Sequence, residues 1–336
     1  MNPLRLTVIL LAASLWALAA SIQIGAVSVG WQDLSALFQA DSDAHYVLWD
    51  LRIPRSLYAF LVGAALGVSG ALCQALFRNP LADPGLLGVS SGAALAAALV
   101  IVLGGAMGLV WPASLQAVLL PLAAFVGAVS VCLLLDGVAR RLTPGSIAGL
   151  LLTGIAVNAL AMSVLGLATY LASDEQLRSL SFWSLGSLAG GQWSGVLVLG
   201  LVLVLAAVWI TRWLPALNAL ALGTNVAAHL GIPVNRLRLH LVLVVALLAG
   251  SAIAGSGLIG FIGLIAPHLL RLLIGGDQRW LVPLSALSGG ILLLLADLLA
   301  RTVAIPAEVP VGIFTALLGG PFFLLLLARQ RRGVIA

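Results

Sequence analysis

The sequence predicts an all-α, polytopic membrane protein with ten transmembrane helices, and three observations carry that reading. Hydrophobic residues make up 62% of the 336-residue chain and charged residues only 8%, with a mean hydropathy of +1.18. No water-soluble core uses that much apolar surface. Runs such as 196–210 and 291–296 are apolar on every face, whereas the strands of a closed membrane barrel alternate apolar and polar residues. Polar or Pro/Gly-bearing breaks divide the chain into segments long enough to span a bilayer.

In order, the expected spans are 4–24, 50–77, 86–105, 115–139, 147–170, 194–212, 237–256, 258–273, 281–303 and 309–328. The first could pass for a secretory leader, but it lacks a convincing small-residue cleavage site and reads as a span. The eighth is the shortest, about 16 residues or roughly 24 Å. An even number of spans puts both termini on one side, and charge says which. With a cytoplasmic N-terminus, the inside takes Arg5, Arg78, Arg140, Arg141, Arg212, Arg236, Arg238, Arg271, Arg279, Arg329, Arg331 and Arg332. The outside keeps Arg52, Arg55, Arg178 and Arg301, so the positive-inside rule places both termini in the cytoplasm. The longest non-membrane pieces, 25–49, 171–193 and 213–236, are too short for a core of their own. Residues 1–336 therefore read as one transmembrane domain.

Composition also excludes functions. All 16 basic residues are arginine, so there is no Walker, Schiff-base or general-base lysine, and the chain is not itself a P-loop ATPase. Coding bias is the bland account of that usage. The net charge of +5 is spread over span ends, not clustered as nucleic-acid binding requires. Cys73 and Cys132 sit alone in apolar spans and read as small core residues, with no metal site. Gly255-Ser256-Gly257-Leu258-Ile259-Gly260 matches GxGxxG, but no strand precedes it and no acid follows about 20 positions on. No nucleophile–base pair or His/Asp/Glu cluster lies at span depth, so no catalytic residue and no cofactor is expected.

Gly63, Gly67 and Gly70, and later Gly250, Ala254 and Gly257, recur at spacings that let helices pack closely. The stretch Arg78-Asn79-Pro80-Leu81-Ala82-Asp83-Pro84-Gly85-Leu86-Leu87-Gly88-Val89 is a polar, Pro-broken hinge between two apolar segments, tolerable in a bilayer only when protein or water surrounds it. Together with Leu51-Arg52-Ile53-Pro54-Arg55 and Gly260-Phe261-Ile262-Gly263-Leu264-Ile265-Ala266-Pro267-His268, it resembles the permeases of iron-siderophore, haem and cobalamin ABC importers. Ala296-Asp297, Ala300-Arg301, Glu308-Val309-Pro310-Val311-Gly312 and Gly319-Gly320-Pro321-Phe322-Phe323 continue the likeness to the last span.

The resemblance implies a type II ABC importer permease fold and a homodimer around a central path. Two cytoplasmic ATP-binding subunits and a periplasmic solute-binding protein complete the assembly, with membrane lipid around it and no nucleic acid. It implies that Arg52, Arg55 and Arg301 dock acidic residues of the binding protein. Bidentate carboxylate contacts suit arginines on the charge-disfavoured side. Local neutralisation is the alternative, by Asp50 for Arg52 and by Asp297, one turn before Arg301. Asn79 and Leu81 resemble a cytoplasmic gate, joined by the turn at Thr143 and Pro144, although that turn departs from the Ser/Thr-rich gate of the cobalamin branch. A tight loop that merely reverses the chain is the alternative for both segments, and the stronger one for the turn at 143–145. Residues 213–236 read as two short surface helices broken at Gly223 and stopped at Gly231. They look like the loop that couples to each ATPase, through Leu222, Gly223, Ala228 and Gly231, unless they are idle.

Asn158, in the fifth span, is either pathway-lining or an interhelical hydrogen bond. His268 invites a haem-ligand reading, but a packing or capping role suits a Pro-His pair better. The segment 174–186 looks closer to haem permeases than to cobalamin ones. The expected function is import of an iron chelate, haem or ferric siderophore, across the bacterial inner membrane. The alternatives are a cobalamin permease or, in another class, an ion-coupled secondary transporter. The latter needs ionisable groups near the midplane, whereas charges here gather at span ends.

Overall fold

The computed structural model describes residues 1–25, 42–106 and 112–334. Fourteen α-helices follow one another among them: α1 (Pro3–Gln23), α2 (Asp43–His45), α3 (Ile53–Phe77), α4 (Val89–Ala106), α5 (Ala113–Leu142), α6 (Ile147–Leu171) and α7 (Asp174–Leu185). The series continues with α8 (Trp193–Thr211), α9 (Leu214–Ala221), α10 (Thr224–His229), α11 (Val234–Ser256), α12 (Ile262–Ile274), α13 (Gln278–Thr302) and α14 (Val311–Val334). A π-helical turn, Tyr46–Arg52, leads into α3, and a 3-10 turn, Pro84–Leu87, precedes α4. Part of the 25–49 segment, residues 26–41, lies outside the described residues.

The ten expected spans correspond to α1, α3, α4, α5, α6, α8, α11, α12, α13 and α14. Seven helices among the described residues are long and apolar enough to cross a membrane, and Val89–Gly104, Ile262–Ile274 and Val311–Leu325 are shorter apolar helices. Side-chain caps set several starts. Asn2 accepts from Leu4 N, Ser146 from Gly149 N, and Ser173 forms a reciprocal capping box with Gln176 at the short surface helix α7.

Burial ranks the helices. The apolar window of α3 is 89% buried and that of α11 is 72% buried, against 17% for α8 and 22% for α6. The first two form the centre, and the last two present leucines and valines outward. Centrality in α3 comes from its small residues. A Cβ at Gly63 or Gly67 would overlap the carbonyl of Gly289 or Ser285 on α13, and one at Gly70 would overlap Gly263 on α12. Without a hydrophobic drive between helices, such contact is what holds a bundle together in lipid.

The eighth span differs from expectation. Helix starts only at Ile262, because Gly257 and Phe261 both take positive φ, near 69°. The remaining 13 residues reach about 20 Å, short of a hydrocarbon core of roughly 30 Å. In the irregular stretch before them Gly257 and Ile259 are buried, Leu258 and Phe261 half-buried and Gly260 exposed, and non-helical backbone at membrane depth is tolerated where it packs on protein or lines water.

Candidate functional site

Three groups of residues stand out at the two ends of the bundle. At the end away from most arginines, Arg55 on α3 meets Asp297 on α13. Its Nη2 donates to Asp297 Oδ1 at 2.8 Å, its Nε faces both carboxylate oxygens at 3.3 and 3.2 Å, and its Nη1 donates to Glu308 at 2.7 Å. Arg301, one turn beyond Asp297, lies 3.7 Å from Asp297 Oδ2 and donates to the Ser21 hydroxyl at 2.8 Å and to the Ser21 carbonyl. Arg52 donates to the carbonyls of Ile22 and Gln23, at 3.1 and 2.8 Å. Arg52 and Arg301 are only 6% and 7% exposed. They secure the end of α1, where its last carbonyls have no helical partner. The surface of the cluster is made by Arg55 and the 44% exposed Glu308. Beside it opens a cleft of about 610 Å³ lined by Tyr46, Asp50, Arg55, Gln192, Trp193 and Glu308.

At the opposite end, α3 stops in a left-handed turn. Arg78 has φ 49°, its N–H bonds Ala75 O, and the Asn79 N–H bonds Gln74 O. That pair of bonds is the Schellman stop, whose left-handed position favours glycine, and a side chain there costs about 1 kcal/mol. Asn79 then accepts from Leu81 N at 3.0 Å, and Asp83 caps the 3-10 turn through Gly85 N at 2.8 Å. Asn79 is exposed and Leu81 half-buried. Thr143 bonds back to Ala139 O at the end of α5, and Pro144 is exposed beside it.

The third group is the segment of α9 and α10. Gly223, with φ 126°, separates the two helices, and Gly231, with φ 79°, ends the second, as the sequence suggested. Ala227 is buried against the bundle, while Leu222 and Leu230 are 70% and 64% exposed and Ala228 is exposed with them. Asn218 fastens the segment to the start of α13. Its Nδ2 donates to Asp277 Oδ1 at 2.7 Å, and its Oδ1 accepts from Gln278 N at 2.8 Å. The Asn218 amide, helped by the Arg279 N–H and charge, holds the Asp277 carboxyl below its ordinary range against the opposing effect of burial.

A model of the FecCD transport family matches residues 9–329. The chain belongs to that family. It is 46% identical over 312 residues to the hemin transport system permease protein HmuU of Yersinia pestis, covering 93% of this chain and 91% of the relative. It is 44% identical over 292 residues to the vitamin B12 import system permease protein BtuC of Pectobacterium atrosepticum, covering 87% and 85%. Among solved structures, a metal-chelate type ABC transporter in an inward-facing conformation superposes with a TM-score of 0.81 at 30% identity, over 97% of this chain and 98% of that one. PsaBC from Streptococcus pneumoniae shares the fold alone, at 19% identity and a TM-score of 0.56 over 88% and 94%.

In this FecCD chain Asn158 joins helices. Its Oδ1 accepts from the Ser91 hydroxyl on α4 and its Nδ2 donates to Gly85 O at 3.2 Å, so the amide pins the 3-10 turn to α6. His268 is 6% exposed, lies against the Pro80 backbone, and meets Phe322 edge-on at 6.0 Å between ring centroids. That is packing.

Sequence reasoning missed two features of the FecCD bundle. Asp136, fully buried on α5, accepts from Arg238 Nε on α11 at 3.0 Å and pairs with Arg140 at 2.9 Å. Gln74 donates to Leu264 O at 3.2 Å and accepts from Arg271 at 3.3 Å, linking α3 to α12. The i,i+4 spacing of Asp136 and Arg140 was a readable signal. Nothing in the sequence pairs Asp136 with Arg238.

Proposed function

We propose that this chain is the transmembrane permease of an importer that moves an iron chelate, haem or a ferric siderophore, from periplasm to cytoplasm. It acts in the bacterial inner membrane as a homodimer with both termini in the cytoplasm. Two ATP-binding subunits drive it and a periplasmic binding protein delivers the cargo. Residues 1–336 form one domain that hydrolyses no ATP itself.

The observation that carries this reading is the 46% identity to a hemin permease across 93% of the chain. A cobalamin cargo is the second reading, favoured by 44% identity to a vitamin B12 permease. Docking of the binding protein falls to the Arg52, Arg55 and Arg301 cluster, with Arg55 as its outermost arginine. Asn79 and Leu81, with Thr143 and Pro144, form the inner gate. Leu222, Gly223, Ala228 and Gly231 form the ATPase contact, a role supported by apolar side chains left bare at the arginine-rich end, where an ordinary loop exposes polar groups.

The test is uptake into proteoliposomes holding the permease, its ATPase subunits and its binding protein. ATP-dependent accumulation of labelled haem or ferric siderophore is expected. Accumulation of cobalamin alone moves the assignment to the second reading, and uptake driven by a proton or sodium gradient without ATP overturns both.

A further inference from the structure

The left-handed residue that ends α3 is an arginine, and its side chain is directed at the coupling segment. Arg78 takes φ 49° at the position of a Schellman stop where glycine is favoured. Its guanidinium approaches Gly223, with Nη1 3.6 Å from where a Cβ of that glycine would sit. Gly223 is the break between α9 and α10, held at φ 126°. Arg78 is the first residue of the hinge, and Asn79 follows it directly. One side chain therefore spans from the first hinge residue to the break in the coupling segment. Positions that keep a strained non-glycine residue do so where the side chain contributes something else.

We propose that Arg78 is a positioning residue that transmits displacement of the coupling segment to the inner hinge. The proposal rests on the gate and coupling roles given above. When an ATPase subunit pushes α9 and α10, the guanidinium lying over Gly223 carries the shift to the Arg78 backbone. From there it reaches Asn79 and Leu81. On its other side the segment is fastened through Asn218 to Asp277 and Gln278 at the start of α13.

The strain makes a decisive experiment possible. Arg78→Gly removes the side chain while relieving the backbone, and Arg78→Asn does the same with a residue that tolerates the left-handed region. Each variant is assembled with the ATPase subunits in proteoliposomes. Thermal stability, ATPase association, basal hydrolysis and stimulation by loaded binding protein are then measured.

Stability equal to or above that of the native chain is expected, with unchanged association and basal hydrolysis. Stimulation should fall by about fivefold or more, the lower end of ordinary coupling between sites. Arg78→Lys, which keeps length and charge, should retain more stimulation than either. Full stimulation in Arg78→Gly overturns the proposal, and so does a loss of ATPase association, which would make Arg78 a docking contact. A native chain that binds its ATPase but shows no stimulation overturns the coupling reading beneath it instead.

Discussion

Asp297 serves two arginines at once: Arg55 reaches it across the α3–α13 contact at 2.8 Å, and Arg301 approaches its other oxygen from one turn along α13. The carboxylate is fully buried, so its removal leaves two guanidinium groups in a low-dielectric site, with the half-exposed Glu308 still paired to Arg55. Breaking such a pair from one side typically costs about 3–5 kcal/mol. Asp297→Ala should therefore lower the thermal stability of the detergent-purified permease sharply, and Asp297→Asn nearly as much. A change within error in either would show that water or lipid headgroups compensate the arginines.

Glu308 provides a cleaner probe of docking than any of the arginines. Replacing Arg55 by an acid would set three carboxylates together and confound docking with folding. Glu308→Gln instead removes the competing negative charge beside Arg55 Nη1 while Asp297 still holds the rest of the side chain. If Arg55 receives an acidic residue of the binding protein, Glu308 competes for it. The variant should associate roughly threefold faster at low salt, with steeper salt dependence, as expected for one exposed charge pair. Slower association, measured by surface plasmon resonance, would make Glu308 itself the contact.

The tether between Asn218 and Asp277 predicts a pH dependence with a definite sign. Asp277 is held below its ordinary range, so its contribution is complete above the unfolded carboxyl value, about pH 4, and is lost as pH falls through the lower folded value. Asn218→Ala removes the main cause of that depression. The stability gap between native and Asn218→Ala protein should be constant near neutrality and close as pH drops below about 4. A gap that persists in acid would assign the effect to the Gln278 N–H bond alone.

The legible and illegible parts of this chain divide along physical lines. Spans were readable because a bilayer requires uninterrupted apolar length, and the breaks at Gly223 and Gly231 because positive φ selects glycine. The truncation of α12 was hidden, since Phe261 gives no sign that it will turn left-handed. Gly63 and Gly67 announced a close approach but not Gly289 as the partner. The charged clusters were the least legible. Arg55 finds Asp297 242 positions away and Arg238 finds Asp136 at a separation of 102, pairings set by tertiary packing alone. Span-end placement carries no signal of burial, yet Asp136 and Asp297 are fully enclosed.

The inner gate carries the last prediction. Asn79 is exposed and Leu81 half-buried; Leu81→Cys keeps the Leu81 N–H bond to Asn79 Oδ1, whereas Asn79→Cys gives up that one turn bond. In a two-fold homodimer that closes at this point, each position faces its own copy across the axis. Asn79→Cys or Leu81→Cys should then cross-link between subunits, in a background carrying Cys73→Ala and Cys132→Ala. Both native thiols are fully buried and small, so losing them should cost stability but not assembly. Alternating access moves the two halves as near-rigid bodies, so the yield should change when nucleotide brings the ATPases together. A reversing turn with no gating role would give the same yield in every state. Thr143→Cys is the internal comparison. Thr143 is half-buried and bonded to its own helix, so it should cross-link less and respond to nucleotide only if the 143–145 turn moves with the hinge. Equal, nucleotide-independent yields at positions 79, 81 and 143 would remove all three from the gate.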